Sequence, residues 1–279
     1  MKKHTKLNRV FLTLLAMSAT SLWCLPATER SYDVIEKLSD QAFVNWTNGW
    51  IYSKVTVAMM RAESTSLTES RLRAVKEAKE RAKSELSRAV LLLAVDSTGS
   101  LGEQLSRNPK LRQDFELLET QIKLIEHTTG EGTVTIRMGL PLFGRTGLLQ
   151  RLPPATLTHF DQALQLPVQN ERYTGLVIYV ELAKDYRPSL RPALSLRTGE
   201  RFLVIENLTS NRGYYYLTED AARDFGKVAD RPLVLYAAAS VDGTDLLLDE
   251  ADAERILANS GLLQAVRQGS VAIIVSPAN

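Results

Sequence analysis

The steadiest pattern along this chain runs from Ser66 to Asp96. Val75, Ala78, Ala82, Leu86, Ala89, Val90 and Leu93 recur at i, i+3 and i+4, and Lys76, Lys79, Glu80, Lys83 and Arg88 fill the opposite side. That spacing predicts a long amphipathic helix. Ser66 stands three residues before Glu69, the layout of a capping box. The early apolar positions are mostly alanine, so the surface they meet must approach closely. A second run, Leu111, Phe115, Leu118, Ile122 and Ile125, alternates spacings of four and three and predicts another helix, ended by Gly130-Glu131-Gly132. Its heptad character lasts only about two repeats, too short for a coiled coil.

Other stretches carry the two-residue period of strands. Trp50–Met59 is β-branched and aromatic, and Thr133–Leu140 alternates strictly. Phe43–Thr47 is expected to pair with Trp50–Met59 through the turn dipeptide Asn48-Gly49. Asp33–Ala42, with Val34, Ile35, Leu38 and Ala42 on one side, reads as weakly helical. Leu152–Glu171 contains Pro153-Pro154 and Pro167 with little periodicity, so it reads as a connection with a short helix near Thr158–Leu164. Beyond it lie strands at Thr174–Leu182, Ala193–Leu196, Phe202–Ile205, Tyr214–Leu217, Leu233–Ala239, Thr244–Leu248 and Ser270–Val275. Asp242-Gly243 is the strongest hairpin dipeptide. Asp249–Asn259 reads as a short helix with acidic residues in its first turn. The expected fold class is therefore α+β in two domains. An N-terminal domain (28–151) packs a pair of helices on a sheet, a linker spans 152–171, and a strand-rich α+β domain spans 172–279.

The start of the chain changes the setting. A basic segment (Lys2, Lys3, Lys6, Arg9), a short apolar run Val10–Met17 and a small-residue stretch ending at Ala27 have the layout of a signal peptide, residues 1–27. The apolar run is too short to span a bilayer as a helix. The expectation is an exported protein, in the periplasm or on the periplasmic face of the outer membrane. Lys plus Arg number 34 against 32 Asp plus Glu, a net charge of +2. Removing residues 1–27 takes away four cations and no acid, so the mature chain is slightly acidic. That excludes an electrostatic case for nucleic-acid binding. Cys24 is the one cysteine. It is a candidate lipidation site, but Trp23 is larger than lipoprotein signals place before their cysteine. Cleavage after Ala27 is the expected processing. No intrachain disulfide can form, and roughly 250 mature residues must be held by packing alone.

Val44-Asn45-Trp46-Thr47-Asn48-Gly49-Trp50-Ile51-Tyr52, followed by the long Ala-, Arg- and Lys-containing helix and a strand, resembles the N-terminal part of exported envelope proteins of the Lpp-twenty lipoprotein superfamily. The N-terminal domain of flagellar assembly protein T is a related comparison. Tyr173–Ile178 and Arg191-Pro192-Ala193-Leu194 are similar to the second domain of longer members, although Val180–Leu190 stands where those carry a Gly-Leu-rich stretch. The resemblance implies an envelope protein without known catalysis and carries over no functional residue.

Candidate chemistry is sparse. His127 and His159 are the only histidines after the leader, too few for structural zinc, and His127 is expected at a helix end. Asp242, Asp245, Asp249, Glu250 and Asp252 cluster but lack the EF-hand spacing; a hairpin and a helix start account for them. No Gly-x-Ser-x-Gly elbow accompanies His159. Gly139–Gly147 lacks the lysine of a phosphate loop and reads as a turn. Neither a catalytic residue, a metal site nor a cofactor is expected. The best interaction surface is aromatic and basic: Tyr186, Arg187, Arg191, Tyr214, Tyr215 and Tyr216, where three consecutive tyrosines on a strand should leave at least one exposed. The expected function is non-catalytic. The protein would bind other envelope components, with association to the periplasmic flagellar apparatus or its assembly as one version. A small-molecule or glycan binding module and an unrecognised hydrolase are the alternatives.

Overall fold

A computed structural model describes residues 32–60, 66–116, 120–155 and 171–275. The leader, Cys24, His159 and the expected helix near 158–164 lie outside these residues. The first domain is a five-stranded antiparallel sheet. Its strands are β1 (Ile35–Lys37), β2 (Ala42–Asn45), β3 (Trp50–Ala58), β6 (Lys123–Gly130) and β7 (Thr133–Pro141), in the order β1-β2-β3-β7-β6. Helix α1 (Leu67–Leu91) lies across β3 and β7. Ser66 caps it, its side chain accepting from the Glu69 N–H at 3.1 Å. Ala74, Ala78, Ala82, Leu86 and Ala89 form the buried stripe. The alanines let the helix come close enough for the Ser53 hydroxyl of β3 to donate to the Ala82 carbonyl at 2.7 Å. Val55, Val57, Val134 and Ile136 complete the layer between them.

Three expectations for this half are corrected. The helix expected over Ser66–Asp96 stops at Leu91, and Ala94–Asp96 is a strand. Asp33–Ala42 is not helical. Trp46 N–H donates to Val34 O (2.9 Å) and Val34 N–H to the Thr47 hydroxyl (2.9 Å), and Ile35–Lys37 pairs with Phe43–Asn45. Tertiary pairing overrides a weak local period there. The second long helix is absent as well. After α1 come the short strands β4 (Ala94–Asp96) and β5 (Gly99–Ser100) and the helices α2 (Leu101–Arg107) and α3 (Pro109–Glu116). The chain then returns as strand β6, so Ile125 and His127 lie on a sheet edge. Gly130-Glu131-Gly132 forms a hairpin turn, with Gly132 at φ +75°. β-branched Ile125, Thr128 and Thr129 suit the pleat better than a helix.

The second domain holds two four-stranded sheets. One is entirely parallel, with β8 (Leu176–Tyr179), β11 (Tyr215–Tyr216), β12 (Leu233–Tyr236) and β15 (Val271–Ile274) in the order β11-β15-β8-β12. The unbroken apolar runs of β8 and β15 fit strands buried on both faces. Val177, Ala272 and Tyr216 meet helix α4 (Glu219–Asp224) on one face. Leu176, Ile178 and Ile273 join the main core on the other. The second sheet orders β9 (Ala193–Leu196), β10 (Arg201–Val204), β13 (Ala239–Val241) and β14 (Asp245–Leu248) as β10-β9-β14-β13. Asp242 and Gly243 turn its hairpin with φ of +46° and +76°, the two positive values that a type I′ turn requires. Helices α5 (Glu250–Leu257) and α6 (Ser260–Arg267) follow. Asn259 caps α6, accepting from Leu262 N–H at 2.8 Å, so a second helix begins directly where the expected helix Asp249–Asn259 ends.

The molecule is thus α+β in two domains, but the domains share one core. A single buried cluster includes Trp46, Leu86, Leu142 and Phe143 from the first domain and Tyr214, Tyr215, Leu248 and Ile256 from the second.

Candidate binding surface

The expected aromatic and basic surface is in fact interior, and this is a correction. Tyr214, Tyr215 and Tyr216 are 0 % exposed, Arg191 is 4 % exposed and Tyr186 is buried; only Arg187 of the set is exposed. The strand that carries the tyrosines is covered on both faces. Tyr215 packs edge-on against Trp46 at 5.5 Å, and Tyr214 lies 5.0 Å from Phe143. Each hydroxyl has a partner. Tyr215 accepts from Ser189 N–H (2.9 Å) and donates to Ser189 O (2.8 Å), Tyr216 donates to Gly213 O (3.2 Å), and Tyr214 donates to Leu190 O. Burial pushes the hydroxyls of Tyr186, Tyr214, Tyr215 and Tyr216 well above the usual tyrosine pKa.

These residues join the domains. Arg191 donates to Asp96 (3.3 Å), Glu206 (3.3 Å) and Pro153 O (2.6 Å). Its own backbone and that of Leu190 pair with Val95 O and Ala94 O at 2.8 and 2.9 Å. Arg201 bonds Asp245 at 2.7 Å, and Ser97 donates to the same carboxylate at 2.7 Å. The Thr47 hydroxyl donates to Tyr215 O at 2.8 Å, and Gly213 N–H to Thr47 O at 3.1 Å. Asp245 is buried in this network, while Asp249 pairs with Arg197 (2.9 Å) and Asp252 with Arg255 (3.2 Å). Among the described residues no three His, Cys, Asp or Glu side chains are placed to hold a metal ion. Gly139–Gly147 leaves β7 and turns into a 3-10 helix at Leu148–Arg151.

An aromatic and basic surface does exist, on the face of the first sheet turned away from α1. The registers put Phe43 of β2, Trp50, Tyr52, Lys54 and Thr56 of β3, Thr135 and Arg137 of β7, and Lys123 of β6 on that one side. Trp50 and Tyr52 stack at 6.0 Å and 11°, and Phe43 lies 5.3 Å from Tyr52. Cations sit over the rings: Arg137 is 4.5 Å from the Tyr52 centroid and 5.0 Å from that of Phe43, and Lys123 is 5.8 Å from Trp50. Such cation–π contacts contribute about 0.5–1 kcal/mol each at exposed sites and hold the cations in place. A Cβ on Gly139 would stand 2.9 Å from the Tyr52 ring and 3.0 Å from Ile125. The glycine leaves the space those two side chains fill. Against Lys54, Lys123 and Arg137 this part of the face sets one acid, Glu126. The alternation of Trp50, Tyr52 and Lys54 with Ile51, Ser53 and Val55 was the sequence signal for it.

A groove of about 680 Å³ opens between α1, α2 and α3. Leu91, Leu105, Phe115, Arg88 and Arg112 are among the residues that line it.

Fold and surface together define a two-domain α+β protein with one shared core and one sheet face left open among the described residues. Residues 37–142 match the family model for the N-terminal domain of Treponema pallidum Tp0624, and residues 175–277 match that for its second domain. The two halves are therefore similar, in order, to the first two domains of Tp0624. The matches name neither the Lpp-twenty superfamily nor flagellar assembly protein T. No curated protein matches the chain. No described helix is long and apolar enough to cross a membrane.

Proposed function

We propose that this is a non-catalytic, exported envelope protein that acts by binding another envelope component through the open face of its first sheet. The arrangement of Trp50, Tyr52 and Phe43 with Arg137 and Lys123 carries the reading. Aromatic side chains and arginine dominate the energetics of protein interfaces, and cations fixed on rings lose little freedom on binding. The leader-like start of the chain supports export, and the Lpp-twenty and flagellar resemblance supports an envelope or flagellum-associated partner. The test is affinity purification from solubilised envelopes with the unaltered chain and with a Trp50→Ala, Arg137→Ala variant. A partner recovered with the first and lost with the second is the expected result; equal recovery overturns the reading. Loss of motility on deletion would place the partner in the flagellar apparatus. Mass measurement of the mature N-terminus separates a chain starting near Thr28 from one lipidated at Cys24.

A second reading, binding of a small molecule or glycan, is favoured by the groove between α1, α2 and α3, whose volume is that of a ligand site. A compound that raises the melting temperature of the unaltered protein but not of a Leu105→Trp variant would support it.

A further inference from the structure

The first sheet ends in an unusual edge. β6 runs for eight residues, Lys123–Gly130, and every one of them is exposed. It is the last strand in the order β1-β2-β3-β7-β6, and among the described residues no strand pairs with its outer side. The opposite edge, β1, has three residues, and the edges of the other two four-stranded sheets have between two and four. An eight-residue edge offers unpaired N–H and C=O groups along about 27 Å, and proteins normally shorten or cover such an edge. β6 has no proline and exposes Leu124 (47 %) and Ile125 (43 %).

We propose that β6 receives an extended polypeptide segment of a partner as a sixth strand, with acidic residues flanking an apolar centre. The inference deepens the reading of the protein as a binding module, and rests on it, by naming the class of partner and its mode of docking. Polypeptide follows from the edge itself: its donors and acceptors repeat at strand spacing, which another backbone matches and a sugar chain does not. The acidic character follows from charge. Lys123 and, one strand inward, Arg137 lie on the outer face, and on the helix side the Arg71 guanidinium reaches Thr129 at 3.2 Å. Glu126 is the one acid of the strand. A second copy of this chain fits less well, because its β6 carries one lysine and one glutamate and so brings no net acid to the seam. The apolar centre would meet Leu124 and Ile125.

The test is selection of displayed random twelve-residue peptides on the mature chain. Synthetic copies of the enriched peptides are then measured by fluorescence anisotropy and hydrogen exchange. Ile125 has no register partner in β7, where the pairing steps from Leu124 to Glu126. Ile125→Pro therefore blocks added pairing at a residue the existing register skips, and Leu124→Glu is an independent block that leaves the backbone unaltered and sets a like charge against an acidic segment. The expected winners alternate apolar with acidic residues, slow exchange of β6 amides at least tenfold, and lose at least tenfold in affinity to either variant at unchanged melting temperature. Peptides that depend on Trp50 and Arg137 but ignore both β6 variants would overturn strand addition and leave the binding function standing. Enrichment of no peptide, or a dimer of the protein that itself protects β6, would overturn the inference. Recovery of an envelope partner through the open face is a separate readout that decides the broader reading.

Discussion

Lys227 is buried, and its ammonium reaches the Gly269 carbonyl, at 3.4 Å, just past the C-terminus of α6. A helix C-terminus favours a cation there, yet burial, with a smaller push from Arg212, lowers the lysine pKa from 10.5 to about 8. The folded chain therefore gives up this proton at a pH where the unfolded chain still holds it, and stability rises with pH above about 8. The gain by pH 9.5 is on the order of 2 kcal/mol. The buried tyrosines act oppositely. Their folded pKa values are raised, so their contribution is complete below about pH 10 and is lost as the unfolded phenols ionise above it. Urea midpoints measured from pH 7 to 11 should pass through a maximum between about 9 and 10. A Lys227→Met variant should lose the rise and keep the fall; an unchanged rise would refute the assignment. Arg191 presents a second residue-scale case. Its partners Asp96 and Glu206 come from different domains, and its Nε is buried without a hydrogen-bond partner. Arg191→Met leaves a buried Asp96 carboxylate uncompensated and should cost about 3–5 kcal/mol, read from denaturant unfolding. Asp96→Asn should cost less in the Arg191→Met background than alone.

Elements differ in how much of themselves their sequence declares. α1 was legible at its start and along its buried face, where the Ser66 cap and the alanine stripe agree, but not at its end: the pattern ran on to Asp96, while the helix stops at Leu91 and Ala94–Asp96 is a strand. Ser66→Ala should cost about 1 kcal/mol, with loss of amide protection confined to the first turns. β3, β7 and the Asp242-Gly243 turn were legible for the same reason, that strand period and turn residues coincide; the strand expected before that turn, Leu233–Ala239, is split between two sheets, and Ala239–Val241 forms the hairpin. β1 and β6 were not, because both lie at sheet edges and owe their conformation to the neighbouring strand. The interaction surface expected at Tyr186, Arg187, Arg191, Tyr214, Tyr215 and Tyr216 is buried apart from Arg187. A run of tyrosines says nothing of what covers a strand, and Tyr215 is covered by Trp46, 169 positions earlier. The alternation in β3 did hold the information, since whatever faces away from α1 must face out. Where elements of the two domains meet, backbones come very close. A Cβ on Gly213 would stand 1.7 Å from the Trp46 carbonyl oxygen. Gly213→Ala should therefore force β2 and β11 apart and cost about 3 kcal/mol, visible as a lowered melting temperature and a shifted Trp46 emission.

At the scale of the whole molecule the two domains behave as one body. They share the cluster from Trp46 to Ile256, and main-chain bonds cross between them at Thr47–Gly213, Ala94–Leu190 and Val95–Arg191. A single calorimetric transition is expected, with calorimetric and van't Hoff enthalpies equal. Two resolved peaks would show that the interface is weaker than its packing implies. A fragment of residues 171–279 should be compact only loosely, because it would bare the face that Trp46 and Phe143 cover.

The Trp46–Tyr215 contact also sets a timetable. At ordinary elongation rates of roughly 5–20 residues per second, Tyr215 leaves the ribosome on the order of ten seconds or more after Trp46. Until then the first half carries an apolar wall with nothing against it, however well α1 and its sheet have formed. A chain truncated before Tyr215 is therefore expected to leave Trp46 uncovered and to be cut by proteases faster than the full chain.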